Sequence, residues 1–147
     1  MLFKRISRAT AETVFLVAKN VSGSTVTAGY SVVFDVGASV DGVRVTQGSA
    51  VDLGAYAGVA DADIANSAYG LIQVYGYRSA VYLKTVADSS TYTSGSGLLP
   101  VTSIWALTPT TVAAGTKQFA FLCETITDSS DTSSSYYANF KGFIRAL

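Results

Sequence analysis

The feature that most constrains the fold is the pattern of residues 58–83, GVADADIANSAYGLIQVYGYRSAVYL. Two sets of side chains alternate between Leu71 and Tyr77: Leu71, Gln73, Tyr75 and Tyr77 at odd positions, and Ile72, Val74 and Gly76 at even positions. Successive side chains of a strand point to opposite faces, and aromatic and β-branched residues favour extended backbone, so this pattern predicts a strand. A short apolar strand and a polar turn precede it. The segment therefore predicts a β-hairpin within an all-β protein.

Most of the remaining chain also reads as strand, interrupted by polar loops at Ser89–Gly97 and Thr127–Ser135. Asp41-Gly42 predicts a two-residue type I′ hairpin turn. A short helix is the alternative for the first predicted strand, Thr13–Lys19. Strands are predicted at Thr13–Lys19, at Val26–Asp35 with a turn near Gly29, at Leu53–Ala60, Ala80–Val86 and Gln118–Ile126, at Leu98–Leu107 with a break at Pro100, and at Tyr136–Leu147.

These elements predict an all-β fold, either a small β-barrel or a β-sandwich. We predict an N-terminal arm at residues 1–12, with a frayed terminus as the alternative, because residues 1–10 are basic and only partly apolar. Residues 13–147 form a single β domain, or two small lobes with a loop around residues 87–97. The pattern TV-x-AG occurs at residues 25–29 and 111–115, which indicates either a duplicated lobe or the same turn used twice.

Charge is scarce in this sequence. Charged residues make up 14% of the 147 residues and the formal net charge is zero, whereas soluble domains usually carry about 25% charged residues. Such a surface is weakly protected against self-association, which indicates that other subunits cover much of it. Zero net charge argues against nucleic acid as the main partner, and no apolar run is long enough to cross a membrane. Because Glu12 interrupts the signal-peptide-like N-terminus, we expect the mature chain to begin at Met1.

Residues that perform chemistry are few. The chain has no histidine and one cysteine, Cys123, which excludes a Ser-His nucleophile and a thiolate–imidazole zinc site within one chain. Asp61, Asp63 and Glu124 are the candidates for carboxylate catalysis, and Asp61 with Asp63, or Asp128 with Asp131, for calcium. Solvated residues at strand ends and turns are the favoured interpretation. We therefore predict a protein that is not an enzyme, without catalytic residues, cofactor or metal.

Residues 58–83 also resemble a recurrent segment of the capsid decoration (cement) proteins of tailed bacteriophages. In those proteins a GVA-type strand, a polar turn and a YG-x-x-QV-x-G-type strand follow one another, as they do here. The resemblance is weaker at Val26–Asp35 and Phe140–Leu147 and does not extend to residues 89–135. It implies a β-tulip or β-clip-like body with an extended N-terminal arm. It also implies a homotrimer on the capsid exterior of the virion, made in the host cytoplasm, that bridges copies of the major capsid protein.

Two groups of residues are then the candidates for capsid or subunit contacts. Lys4, Arg5 and Arg8 suit contacts to an acidic capsid surface. The second group lies in the C-terminal strand and suits packing against subunits or capsid: Tyr136, Tyr137, Phe140, Phe143 and Arg145. The alternative function is a carbohydrate-binding β module of a phage particle, in which exposed tyrosines stack on sugar rings. A carboxylate hydrolase is the third hypothesis.

Overall fold

The computed structural model describes residues 12–37, 43–50, 52–85, 90–110, 118–128 and 136–146, and these form an all-β fold, as predicted. One short 3-10 helix, Leu53–Ala55, accompanies the strands. Nothing helical in these ranges is long and apolar enough to cross a membrane. The strands are β1 (Val14–Asn20), β2 (Ser31–Phe34), β3 (Arg44–Thr46), β4 (Tyr56–Ala60), β5 (Tyr69–Thr85), β6 (Thr91–Tyr92), β7 (Gly97–Pro100), β8 (Leu107–Thr110), β9 (Ala120–Leu122), β10 (Ile126–Thr127) and β11 (Tyr136–Arg145).

β5 is the longest strand, with 17 residues, and both halves of the fold pair with it. The sequence predicted two strands here, Leu71–Tyr77 and Ala80–Val86, and this division is wrong. The strand continues through Arg78 and Ser79 because β11 pairs alongside it, with Gly142 opposite Arg78. The pairing with β11 shifts register opposite Phe140–Gly142 instead, which is how a sheet accommodates extra residues without ending a strand.

The first half of the fold, lobe 1, is a closed set of five strands in the order β1-β3-β2-β4-β5, with β5 pairing back to β1. At Gln73, β5 pairs with Phe15 of β1 on one side and with Val59 of β4 on the other. Every strand of the set contributes apolar side chains to one core, which includes Ala18, Val32, Val45, Ala57, Ala60, Ile72 and Val74. Lobe 1 is therefore closed by hydrogen bonds and filled by small and β-branched residues.

Lobe 2 repeats this principle with the strands β5-β11-β9-β7-β8. β8 pairs back to β5 in parallel, with Leu107 opposite Leu83. A separate two-stranded sheet, β6 with β10, adds Tyr92 and Ile126 to its core. The other core residues include Val81, Leu83, Leu98, Leu107, Ala120, Leu122 and Ile144. β11 lies between β5 and β9, so the predicted C-terminal strand is held on both sides.

β4 connects the two cores, because all five of its residues are buried. Tyr56 and Val59 belong to the core of lobe 2, whereas Ala57 and Ala60 belong to the core of lobe 1. A strand buried on both faces reads as an uninterrupted apolar run, which is the pattern YAGVA. The two lobes therefore share β5 and have cores that meet at β4.

Several predicted strands are shorter in the structure than in the prediction. Closing two lobes requires the backbone to bend often, and the bends divide the apolar runs. Val26–Asp35 contains β2 and an isolated bridge from Val26 to Ile64; Leu53–Ala60 begins with the 3-10 helix; Leu98–Leu107 is divided between β7 and β8; and Gln118–Ile126 is divided between β9 and β10.

The predicted hairpin turn at Asp41-Gly42 lies outside the described residues, as does the second TV-x-AG pattern. The flanking strands β2 and β3 do pair antiparallel, with Phe34 opposite Val45.

Tyr56 is a buried tyrosine whose hydroxyl has no hydrogen-bond partner among the described residues. Burial raises the pKa of Tyr56 far above its ordinary value, and nearby Arg78 opposes this rise. A buried hydroxyl without a partner costs free energy. We therefore expect Tyr56→Phe to stabilise the protein by about 1 kcal/mol at pH 7, measured by urea unfolding.

The same substitution should change the response to alkaline pH. Above about pH 10 the unfolded tyrosine releases a proton that the folded protein retains, so wild-type stability falls by about 1.4 kcal/mol per pH unit from this site. Tyr56→Phe removes that loss. Tyr69→Phe, at an exposed position, is the control. A Tyr56→Phe protein that is less stable than wild type at pH 7 would contradict this account of the Tyr56 hydroxyl. So would a free energy of unfolding that falls as steeply above pH 10 in Tyr56→Phe as in wild type.

Candidate interaction surface

Three residues of the segment 58–83, namely Gly58, Gln73 and Gly76, lie where β4, β5 and the residues just before β1 cross. A Cβ atom on Gly58 would overlap the Gln73 carbonyl oxygen and lie 2.9 Å from Ile72 Cγ2. A Cβ atom on Gly76 would overlap the Glu12 carbonyl oxygen. Both glycines also have positive φ, at 141° and 108°, which other residues adopt only at a cost. The glycines of the motif are therefore required by close backbone approach.

The Gln73 side chain is buried and holds the bend of β5 that follows it. Its Nε2 group donates to the carbonyl oxygens of Tyr75, Gly76 and Tyr77, at 3.3, 3.0 and 3.1 Å. Its Oε1 atom accepts a hydrogen bond from Arg78 Nη1 at 3.3 Å. These bonds lie where the pairing of β5 with β1 shifts register, between Gln73 and Tyr75.

Arg78 joins this bend to the turn after β4. Its Nη1 lies 3.0 Å from Asp61 Oδ1, Nη2 donates to the Asp61 carbonyl oxygen at 3.1 Å, and Nε donates to the Ala80 carbonyl oxygen at 3.0 Å. A cleft of about 340 Å³ lies beside the network, lined also by Phe15 and Tyr77. Because its donors already bind groups of the same chain, Arg78 connects two segments and is poorly placed to receive an anion.

A group of exposed apolar side chains lies on the paired strands β1 and β5. Val17 is opposite Leu71, and Phe15 and Tyr69 lie on either side of this pair. Their exposed fractions are 61% for Val17, 45% for Leu71, 39% for Phe15 and 63% for Tyr69. We call these four side chains the outer strip. Grouped exposed apolar side chains of this kind are typical of protein contacts.

The sequence prediction missed the outer strip, although a signal was present. TVFLVAK at residues 13–19 is apolar at consecutive positions, so a strand there has apolar side chains on both faces. One face fills the core of lobe 1 through Ala18. The apolar side chains on the other face, Phe15 and Val17, are exposed.

A row of aromatic side chains crosses the surface from Trp105 to Tyr137. The centroids of Trp105 and Tyr30 are 5.9 Å apart, those of Tyr30 and Tyr82 are 4.9 Å apart, and those of Tyr82 and Tyr137 are 5.8 Å apart. Burial, with Tyr30 and Tyr137 nearby, raises the pKa of Tyr82. Trp105 and Tyr30 are stacked, as are Tyr82 and Tyr137, and the exposed Tyr137 is at the end of the row.

The predicted C-terminal contact residues are not on one surface. Tyr137 is exposed, and Arg145 is exposed with Nη2 donating to the Gln118 carbonyl oxygen at 3.2 Å. Phe140 packs against the core of lobe 2. Phe143 is half-buried and stacks on Phe121, with centroids 5.0 Å apart.

The other predicted contact residues are only partly described. The backbone of Tyr136 pairs with Thr85, and its side chain lies outside the description. Lys4, Arg5 and Arg8 also lie outside the described residues.

The candidate catalytic carboxylates each have a separate partner. Asp61 pairs with Arg78, and Asp63 accepts the Ala28 N–H at 2.8 Å. The Lys141 backbone N–H, 2.7 Å from Glu124 Oε1, holds the pKa of Glu124 below its ordinary value; burial opposes this, and the Lys141 ammonium, 3.3 Å from Oε2, adds to the lowering.

The candidate calcium ligand Asp128 accepts a hydrogen bond from Thr85 at 2.6 Å, and Asp131 lies outside the description. Among the described residues no three metal-ligating side chains form a group.

No protein-family model matches this chain, and no curated protein matches it.

Proposed function

We propose that the protein is a structural component of a virion, which binds the outer surface of a bacteriophage capsid and stabilises it by bridging major capsid subunits. The observation that carries this proposal is the outer strip, an apolar sheet face exposed on a body built from two closed lobes. Adhesion needs a stiff body with an exposed contact surface, and many weak contacts acting together give a strong total attachment.

The position of the motif residues supports the same proposal. The resemblance to decoration proteins depends on the GVA and QV-x-G patterns, which contain Gly58, Gln73 and Gly76. In this chain those three residues allow β4, β5 and the segment before β1 to cross. A resemblance at residues that determine the path of the chain says more about a shared fold than a resemblance at surface positions, where many residue types are tolerated.

The distribution of charge gives the N-terminal arm a role in the proposal. The chain has ten basic and ten acidic residues, and residues 1–11 contain Lys4, Arg5 and Arg8 but no acidic residue. Residues 12–147 therefore carry seven basic and ten acidic residues, a net charge of −3. With Glu12 included, the predicted arm of residues 1–12 has a net charge of +2, which is suited to an acidic capsid surface and would accelerate the encounter at low salt.

Deletion of residues 1–9 should abolish binding to undecorated heads and leave the body folded. Binding is measured by co-sedimentation with heads, and folding by thermal unfolding. A full-length variant with Lys4, Arg5 and Arg8 replaced by glutamine separates charge from length, and we expect it to weaken binding by about tenfold or more at low salt. Unchanged occupancy by both variants would remove the arm from the proposal.

A carbohydrate-binding module is the second candidate, and the aromatic row favours it. Aromatic side chains with hydroxyl groups stack on sugars and form hydrogen bonds to them. Tyr137, at the end of the row, is the most exposed of its four rings, at 39%. A glycan-array signal lost on Tyr137→Ala, together with no binding to heads, would favour this candidate over a capsid protein.

A further inference from the structure

We propose that the cleft beside Arg78 binds one uncharged sugar ring, either free or at the end of a glycan. The inference goes beyond the proposed function, because attachment to a capsid does not use this cleft. It also differs from the second candidate function, in which Tyr137 and the aromatic row would bind the sugar.

The cleft lies where β5 passes from one lobe to the other. The first part of β5 pairs with β1 and the later part with β11. Lobe 1 contributes Phe15 and Asp61 to the lining, and the continuation of β5 contributes Tyr77 and Ser79. Small-molecule sites occur preferentially where two structural units meet. The volume of about 340 Å³ is at the lower end of the range of about 300–1,000 Å³ for such sites, so it suits one ring.

Two of the lining side chains are held in place by the chain itself. Gln73 is buried and donates to three backbone oxygens of β5. The Arg78 side chain is 12% exposed and binds Asp61, Gln73 and the Ala80 carbonyl oxygen. A site whose polar groups are already in position loses less conformational entropy when a ligand binds. The cleft is therefore largely pre-formed.

Two aromatic side chains give the cleft apolar surface. Phe15 and Tyr77 both line it, and their exposed fractions are 39% and 38%. An aromatic ring offers a flat apolar face, and tyrosine adds a hydroxyl group at its edge. The C–H face of a pyranose ring is apolar in the same way, so it is suited to packing against these rings.

The polar groups of the cleft suit the hydroxyls around the edge of a sugar. The Asp61 side chain is 42% exposed, and its Oδ1 atom lies 3.0 Å from Arg78 Nη1. Within the described part of the chain no donor bonds to Asp61 Oδ2, so this oxygen can accept a hydrogen bond from a ligand. Thr13 and Ser79 also line the cleft, and each has a hydroxyl that donates or accepts. A ligand with several adjacent hydroxyls fits this set of groups.

The balance of charge disfavours charged ligands. The charged residues that line the cleft are Asp61 and Arg78, which form an ion pair with each other. An anion would lie beside the Asp61 carboxylate while the donors of Arg78 are already engaged, and a cation would compete with Arg78 for that carboxylate. The cleft should therefore prefer a neutral sugar to a uronate or a protonated amino sugar.

Titration of the full chain with glucose, galactose, mannose and N-acetylglucosamine, followed in amide proton–nitrogen NMR spectra, tests the proposal. At least one of these neutral sugars should shift the signals of Asp61 and of residues 77–80 in a saturable way. Glucuronate and protonated glucosamine should bind more weakly than that sugar. Absence of binding by all four neutral sugars would overturn the assignment, as would equal or tighter binding of a charged one.

Substitutions in the cleft give the second test. Tyr77→Ala and Asp61→Ala should each weaken binding by about tenfold or more, through loss of ring packing and of a charge-assisted hydrogen bond. Phe15 also belongs to the outer strip and is left unchanged for that reason. Tyr69→Ala and Tyr137→Ala remove exposed tyrosines outside the cleft and should bind like wild type.

Thermal unfolding checks that each variant is folded, and the signals that shift in wild type locate the site without any variant. Binding that is lost in Tyr137→Ala but unchanged in both cleft variants would place the sugar on the aromatic row and overturn the assignment.

The proposed function is tested separately by binding to heads. A protein that binds heads but none of the sugars would contradict the cleft assignment and leave the capsid function standing. A protein that binds a sugar in the cleft but ignores heads would do the reverse.

Discussion

Replacing Gly58 with alanine should destabilise the protein by about 3 kcal/mol or more, because strained backbone and an overpacked contact each cost about 1–3 kcal/mol. Gly58 has a φ of 141°, and an added Cβ atom would overlap the Gln73 carbonyl oxygen. The obstacle is backbone in the middle of β5, which pairs with strands on both sides. It therefore cannot move without breaking hydrogen bonds of lobe 1. Urea unfolding at pH 7 measures the loss.

Two other glycines separate the causes of this effect. Gly23 has a φ of 85° but no heavy atom within 4 Å of an added Cβ, so Gly23→Ala reports backbone strain alone. Gly54 also has open space around the added atom and no positive φ, so Gly54→Ala should change stability little. We expect the order Gly58, Gly23, Gly54 from largest loss to smallest. A Gly58→Ala protein as stable as Gly23→Ala would show that β4 does not approach β5 as described.

Replacing Gln73 with methionine should cost about 3 kcal/mol, since buried polar groups left without a partner cost about 1–3 kcal/mol each. Methionine has a similar length and flexibility but cannot donate to the carbonyl oxygens of Tyr75, Gly76 and Tyr77. It also cannot accept the hydrogen bond from Arg78. The loss should appear as a lower urea midpoint with an unchanged m-value.

A comparison within the chain identifies the network as the source of that loss. Gln47→Met, at a half-buried glutamine of lobe 1, should cost much less. Arg78→Met combined with Gln73→Met should cost less than the sum of the two single substitutions, because the two side chains share one network. Additive losses would mean that Gln73 and Arg78 act independently and would contradict the network.

The sequence was sufficient for the local parts of this fold. Alternation along Leu71–Tyr77 and along β11 predicted strands, and the apolar strand and polar turn before Tyr69 predicted the hairpin of β4 with β5. The division of β5 at Arg78 was wrong, because strand continuity there depends on hydrogen bonds to a segment more than 50 residues later in the chain. No local pattern encodes such pairing.

Closure into two lobes was also beyond the sequence pattern. The pairing of β1 with β5, and of β8 with β5, joins segments that are far apart in the chain. The candidate surface was missed for a related reason. Val17 and Leu71 lie far apart in the sequence, and each alone reads as an ordinary core residue. Only their direct pairing makes them neighbours on an exposed face.

The continuity of β5 has a mechanical consequence. One extended backbone segment belongs to both lobes, so a force that pulls the far ends of the molecule apart is transmitted along covalent bonds through its centre. Hydrogen bonds on both sides of that segment would then be sheared together rather than opened one after another. A molecule built in this way is suited to holding tension across its length.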